Sequence, residues 1–431
     1  MKRYRAYKKT PLLWLKEIPE GWELRRNKNF FQESKEVVSE HFSDYTLLSL
    51  TLNGIIPRDM DSGKGKFPKD FDTYKVVKKG DMAFCFFDID ETPRTVGLSS
   101  FDGMLTGAYT ICHVHDINAR FVYYYYLALD NVKALRPLYS GLRKTIKSNI
   151  FLGTKLPVPP RDEQEQIVRF LDWKVTKIQR MIRIKQSEIN DLAAMKKSYV
   201  DDVVVHGLRD GVPMKDSGVS WLGEIPAHWK IEKLRQILHP VSERNHPELP
   251  LLSVVREQGV ILRDVTDKEA NHNYIPDDLS NYKVVRKGQF AMNKMKAWQG
   301  SYGISPYDGI VSPAYFIFRI DFDNLEYFHF AIRSRVYANF FAQASDGIRV
   351  GQWDLQMAKM KEIPFFVPPA DEQEIIVQYI KRELPKYEAA ICKLEEEITS
   401  LEELETRLIS DVVTGKLDVR NIKIPAHAKE A

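Results

Sequence analysis

The chain has 431 residues and a mass of 50.0 kDa. At roughly 100–200 residues per domain this excludes a single compact core and leads us to expect two to four domains. A composition of 44% hydrophobic, 11% aromatic and 28% charged residues excludes a disordered or fibrous chain, and 63 Lys+Arg against 59 Asp+Glu leave only +4, so net charge by itself points to no polyanion.

Three scattered cysteines, Cys85, Cys112 and Cys392, form no C-x-x-C pair. They argue against a disulfide framework or a sequence-local zinc site and suit a reducing compartment. Residues 1–10 (MKRYRAYKKT) are basic, but no apolar signal-like stretch follows them. Nowhere is there a run near the roughly 18 apolar residues that would propose a membrane span. The expectation is a soluble, cytoplasmic protein.

In chain order, the first ~150 residues mix short β-like runs (47–52, 74–77) with Gly/Pro/Asp turns and short amphipathic stretches, as an α+β globular domain would. Pro159 and Pro160 then impose an extended lead-in. Asp162 with Glu165 reads as a helix cap three residues before an acidic partner. Beyond it Val175, Ile178, Ile182, Ile189, Leu192, Tyr199 and Val203 recur at steps of three and four, interrupted by Lys185 and Lys196. That is a coiled-coil seam. A Gly/Pro-containing linker follows at 206–218.

The second half repeats this order. Trp14-Leu15-x-Glu17-Ile18-Pro19-x-x-Trp22 returns as Trp221-Leu222-x-Glu224-Ile225-Pro226-x-x-Trp229. Leu47-Leu48-Ser49 returns as Leu251-Leu252-Ser253, and Tyr74-Lys75-Val76-Val77 as Tyr282-Lys283-Val284-Val285. Asp102-Gly103 with Ala108-Tyr109 matches Asp308-Gly309 with Ala314-Tyr315. Gly141-Leu142-Arg143 matches Gly347-Ile348-Arg349, and Pro159-Pro160-x-Asp162-Glu163-Gln164 matches Pro368-Pro369-x-Asp371-Glu372-Gln373. The offset stays between 204 and 209, so the chain is a tandem duplication. In the second helix Leu384, Tyr387, Ile391, Leu394, Ile398, Leu401, Leu408 and Val412 form the seam, with Glu405 interrupting. Pro385 within it should kink or split the helix. The tail, Gly415-x-Leu417-Asp418, echoes the linker's Gly207-Leu208-x-Asp210, as if leading back toward residue 11.

Charge pairs the helices. Residues 174–200 carry seven Lys/Arg and two Asp/Glu, whereas 383–409 carry three and eight. Opposite signs at matched heptads favour pairing within one chain, DNA being the alternative target of the basic helix. The expected architecture is therefore α+β: a duplicated globular domain, each copy followed by a long helix, the helices forming an antiparallel coiled coil with pseudo-twofold symmetry. About 30 helical residues at 1.5 Å each would set the domains ~45 Å apart. The expected boundaries are 1–157, 158–205, 206–218, 219–363, 364–413 and 414–431.

Catalytic motifs are missing from the sequence: there is no phosphate loop and no G-x-G-x-x-G after a strand. His113-x-His115 lacks a third ligand nearby, so no metal site is expected. Positive charge is instead local. Lys133, Arg136, Arg143, Lys144, Lys147 and Lys155 lie in an acid-free window, 131–155. A second such window, 286–304, holds Lys294, Lys296, Trp298 and Gln299. Arg58, Lys64, Lys66 and Lys69 sit in or beside a glycine-containing loop. Cations there suit phosphates, and Arg, Lys and Gln suit base edges. The DNA-contact expectation comprises Arg58, Lys64, Lys66, Lys69, Arg94, Arg143, Lys144, Lys147, Lys294, Lys296, Trp298, Gln299 and Arg349.

Taken together, a tandem domain pair with Pro159, Pro160, Glu163, Gln164 and Ile167, then Pro368, Pro369, Glu372, Gln373 and Ile376, resembles the specificity subunit of Type I restriction–modification systems. The run Ala297-Trp298-Gln299-Gly300-Ser301 is similar as well. The resemblance implies two target recognition domains, each contacting one part of an asymmetric bipartite site on double-stranded DNA, and a coiled-coil spacer setting the gap. It implies a non-catalytic chain whose partners are two methyltransferase subunits and the restriction/translocase subunits. S-adenosylmethionine, ATP and Mg would belong to those partners. The alternative is a coiled-coil interaction scaffold without DNA specificity. Copy one has Phe86-Phe87-Asp88-Ile89-Asp90 where copy two has Lys294-Met295-Lys296-Ala297-Trp298, a difference expected of domains that read different sequences.

Overall fold

The computed structural model describes residues 2–58, 71–140, 144–209, 211–264, 275, 276, 278–349 and 352–425, with backbone alone at 40, 41, 348, 349 and 352. The chain divides into two compact units, 1–186 with 395–431, and 187–394.

In the first unit, Phe31–Ser34, Thr110–Val114, Met82–Phe84 and Val96–Leu98 lie side by side in that order as an antiparallel sheet. Met82–Phe84 is buried along its whole length. The two-residue period of a strand sends Met82 and Phe84 to a core shared with Phe31, Tyr126 and Phe151. Ala83 points to the opposite face, with Leu48, Val77 and Ile111. Helix Ala119–Asn131 covers the larger core; its cap, Asn118, accepts from the backbone N–H groups of Arg120 and Phe121. Glu23–Arg26 pairs with Lys155–Val158, which brings the start of the domain beside the residues that lead into the long helix.

The second unit repeats this sheet and its pairing. Its sheet order is Leu238–Val241, Phe316–Ile320, Phe290–Met292 and Tyr302–Ile304. Phe290 and Met292 enter the main core, and Ala291 joins Leu252, Val285, Val311 and Ile317 on the other face. Lys230–Lys233 pairs with Pro364–Val367. The α+β class and the duplication expected from the repeats are both present.

The repeated residues prove to be fastenings. Lys75 Nζ donates to the Tyr109 carbonyl at 2.8 Å, and Lys283 Nζ to that of Tyr315 at 2.6 Å. Asp102 accepts from the backbone N–H of Lys79, and Asp308 from that of Lys287, each at 2.7 Å. The glycine after each aspartate lies so close to a neighbouring carbonyl, of Thr46 for Gly103 and of Pro250 for Gly309, that a Cβ would collide with it.

Two long helices, Arg161–His206 and Ala370–Val413, contribute to both units. Within each unit their segments run antiparallel. In the first, Gln179 donates to Glu405 at 2.6 Å and Lys185 pairs with Glu397. In the second, Lys196 pairs with Glu388 at 2.6 Å, and Tyr199 stacks on Tyr379 with centroids 5.7 Å apart. The three polar interruptions of the apolar seams are thus partnered across them.

Two expectations about these helices need correction. Asp162 and Asp371 are not caps: the helices already begin at Arg161 and Ala370. The carbonyls of Pro160 and Pro369 accept the first helical bonds, from Gln164 and Gln373. The aspartates stand inside the first turn, where the helix dipole favours negative charge. Of the kink or split expected at Pro385, the split does not occur: one helix runs through it without interruption.

The chain's tail behaves as its echo of the linker suggested. In the first unit Asp418 N donates to the Lys2 carbonyl at 2.9 Å, Tyr7 OH donates to the Gly415 carbonyl, and Gly415 abuts Pro19 and Trp22. In the second unit Gly207 abuts Trp229. Among the described residues no helix is long and apolar enough to cross a membrane.

Candidate nucleic-acid interface

The helix-start motif is built inward. Glu163, 8% exposed, accepts from Trp22 Nε1 at 2.9 Å and from the Tyr4 hydroxyl. Glu372, 2% exposed, accepts from Trp229 Nε1 at 3.1 Å and His228 Nε2 at 2.7 Å. Gln164 Nε2 donates to the Pro159 carbonyl and Gln373 Nε2 to that of Pro368. Ile167 and Ile376 are fully buried. Pro160 and Pro369 directly precede the helices and their carbonyls accept the first helical bonds. These residues join each helix to its own domain.

The outward-facing residues gather elsewhere. In each unit, the loop between the third and fourth sheet strands meets a segment that arrives from the far end of the domain. In the first unit Ile146 N donates to the Phe86 carbonyl at 2.8 Å. In the second, Leu355 N donates to the Lys294 carbonyl at 3.1 Å, the matching bond at matching positions. One scaffold therefore presents the same loop pair twice.

The side chains on it differ. The first unit brings Asp90 and Glu91 against Lys144, at 3.5 and 3.0 Å. The Tyr139 hydroxyl donates to Asp90 at 2.6 Å and, with Lys144 and Arg136 nearby, holds its carboxyl below the usual range. The hydrogen bond to Glu91, with Asp90 close by, raises the Lys144 amine. Asp88 and Lys144, hydrogen-bonded through Asp88 N, both adopt left-handed backbone, with φ of 42° and 45°. Such strain in non-glycine residues is typical of functional loops. The second unit instead presents Lys296, Trp298 and Gln299 on the loop. Lys294 is tied to Asp354 at 3.1 Å, and the Trp298 ring stacks on Trp353 at 5.5 Å. The stem of Arg256 lies 3.9 Å from where a Cβ on Gly300 would stand.

Of the expected contact residues, Lys294, Lys296, Trp298 and Gln299 share this second loop, and Lys144 lies on the first. Lys147 precedes the short helix Ser148–Gly153 beside it. Arg94 points inward: it binds Asp130, itself 3% exposed, at 3.2 Å, and Asn131 at 2.9 Å. With Lys133, which reaches the same carboxylate at 2.8 Å, it fastens the loop rather than facing out. Arg58 follows the strand Gly54–Pro57, and its backbone N–H donates to the Leu47 carbonyl at 2.8 Å. Lys64, Lys66, Lys69 and Arg143 lie outside the described residues, as does the side chain of Arg349, whose backbone belongs to the hairpin of Ser345–Arg349 and Gln352–Leu355. Sequence reasoning missed Tyr139, Glu91, Trp353 and Asp354 as members of the site. Only the divergence of 86–90 from 294–298 signalled the place. His113 Nδ1 contacts Asp81 at 2.6 Å, and among the described residues no group of three His, Cys, Asp or Glu could hold a metal.

No model of a known protein family matches the chain. Among solved structures, a chain from a study of complex assembly and conformational transition of the type I R-M system has the same fold. Its TM-score is 0.60 at 14% identity, over 93% of this chain and 99% of that one. The HsdS subunit of Thermoanaerobacter tengcongensis gives 0.46 at 14% identity over 93% and 98%. The Type-I restriction-modification S subunit of M. genitalium gives 0.33 at 12% over 91% and 96%.

Proposed function

We propose that this chain is the specificity subunit of a type I restriction–modification complex. It is a non-catalytic, cytoplasmic protein that binds double-stranded DNA at an asymmetric bipartite site. The observation that carries this reading is the loop pair built twice on one topology with unlike side chains: the scaffold is kept and the contact surface varies. Carboxylates such as Asp90 and Glu91 accept from exocyclic amines, while Lys296 and Gln299 suit guanine and adenine edges in the major groove, so the two halves read different bases. The domains 1–157 and 219–363 each take one half-site. The helices 158–205 and 364–413 form the spacer and the seat for two methyltransferase subunits, with restriction/translocase subunits joining them. The linker 206–218 and the tail 414–431 close each unit. S-adenosylmethionine, ATP and Mg act in the partner subunits.

Methylation-aware sequencing of DNA modified by the co-expressed complex tests this. The expected result is two short specific blocks separated by a gap of fixed length. Exchanging residues 12–157 for a homologous domain changes one block only. A single uninterrupted motif, or a swap that alters both blocks, overturns the reading. Salt-insensitive association without any DNA shift would favour the interaction scaffold instead, since phosphate contacts make DNA binding fall steeply with salt.

A further inference from the structure

The second unit's loop contains an unusual polar group. Trp298 lies in the short turn Ala297–Gln299, and its Nε1 is buried with no hydrogen-bond partner among the described residues. A buried N–H without an acceptor is unfavourable, and native structures rarely keep one without a reason. Of the other partnerless buried atoms in this unit, the Tyr302 hydroxyl and Ser334 Oγ belong to residues 1% and 4% exposed, while Asp354 Oδ1 lies in the same loop pair but has the Lys294 ammonium 3.1 Å away. Trp298 sits instead on the outward loop between Lys296 and Gln299. Its ring is stacked by Trp353, which is 37% exposed and so lies at the surface rather than in the core. Trp353 lies across the strand from Gly347, whose missing side chain leaves space for the indole: a Cβ there would be 3.4 Å from Trp353 Nε1.

We infer that the Trp298 N–H is a DNA-contact group: Trp353 covers it in the free protein and yields on binding, and the N–H then donates to an acceptor atom of the half-site read by the second unit. This rests on the function proposed above and adds a named contact to it. Indole N–H is a donor only, so its partner is an acceptor: a purine N7, a guanine O6, a thymine O4 or a phosphate oxygen.

The test uses the complex with its methyltransferase subunits and a duplex carrying its own bipartite site. Two variants are compared, Trp298→Phe and the isosteric Trp298→3-benzothienylalanine, which keeps the ring shape and lacks only the N–H. The expected result for the isostere is about tenfold weaker binding with an unchanged or raised thermal midpoint, because a partnerless group has been removed from the free protein. Trp298→Phe weakens binding at least as much. Unchanged affinity in the isostere overturns the contact, as does a lowered midpoint without loss of affinity, which would show that the N–H serves the fold. Failure of the wild-type complex to bind any specific sequence overturns the proposed function together with the contact. Specific binding that both variants leave intact overturns the contact alone.

Discussion

Glu163 and Glu372 each accept a tryptophan N–H inside their unit. Glu163→Ala strands the indole of Trp22 and the hydroxyl of Tyr4, so a loss of about 2–3 kcal/mol is expected in urea denaturation. Glu372→Ala should cost a similar amount through Trp229 and His228. A loss below about 0.5 kcal/mol for either would refute the role assigned to the helix-start motif. His329 offers a pH-dependent counterpart. Burial, with Arg333 nearby, pushes its imidazole down to about 4, against a smaller opposing effect of Glu326. The folded protein therefore keeps His329 neutral while the unfolded chain protonates it near pH 6.5. Its contribution is fully present above pH 6.5 and is lost as pH falls toward 4, by up to about 3 kcal/mol at 1.36 kcal/mol per unit. His329→Gln should flatten that part of the stability profile. An unaltered pH dependence would show that another group is responsible.

At the scale of elements, the long helices show how polar residues specify a pairing that apolar ones alone leave open. Ile178, Leu408 and Val412 bury the seam in the first unit, and Val203 does so in the second. Aliphatic contacts of this kind tolerate a shift by one heptad. Lys185 opposite Glu397 and Lys196 opposite Glu388 do not, because a slip would separate both pairs. The Lys185–Glu397 pair is only partly buried, so its coupling is modest, about 0.5 kcal/mol. Lys185→Glu and Glu397→Lys should each destabilise the protein, and the double exchange should recover most of the loss in a double-mutant cycle. Additive losses would mean that the pair does not set the register. Pro385 fits the same picture: a proline removes one backbone N–H from the ladder, yet the helix continues past it.

For the whole molecule, duplication explains why so few residue types recur and where they are. Three of the repeated blocks fasten the scaffold: the tryptophan with its glutamate, the lysine with a carbonyl, and the Asp-Gly turn against a neighbouring carbonyl. The loop pair is where the copies part company, with Asp90 and Glu91 in one and Lys296, Trp298 and Gln299 in the other. A chain whose framework is copied and whose surface loops diverge is suited to reading two unlike sequences. Exchanging 12–157 is accordingly expected to move one half-site and leave the other intact. The meeting of Lys2 with Asp418 adds a second expectation at this scale. Deleting residues 416–425 removes the Asp418 N–H bond to Lys2 and the Arg420 guanidinium that covers Tyr4 at 4.8 Å. It should destabilise the first unit, visible as increased amide exchange around Tyr4 and Trp22 and unchanged exchange around Trp229.

Order, spacing and period were enough to reveal the duplication, the α+β class, the two long helices and the opposite charges on them. These are local or periodic properties, written along the chain at fixed intervals, and Lys185, Lys196 and Glu405 already stood out as breaks in a regular seam. Charge in the paired loops was not legible in that way. The window 131–155 contains no acid, yet folding sets Arg136 and Lys144 beside Asp90. Arg94, exposed by any sequence criterion, became an internal fastening for the same reason. The tryptophan of the second loop was visible, but its stacking partner Trp353 lies 55 residues away and no spacing rule connects them. An acid-free stretch is a fact about neighbours in sequence, whereas electrostatics depends on neighbours in space, and only the folded chain brings those together.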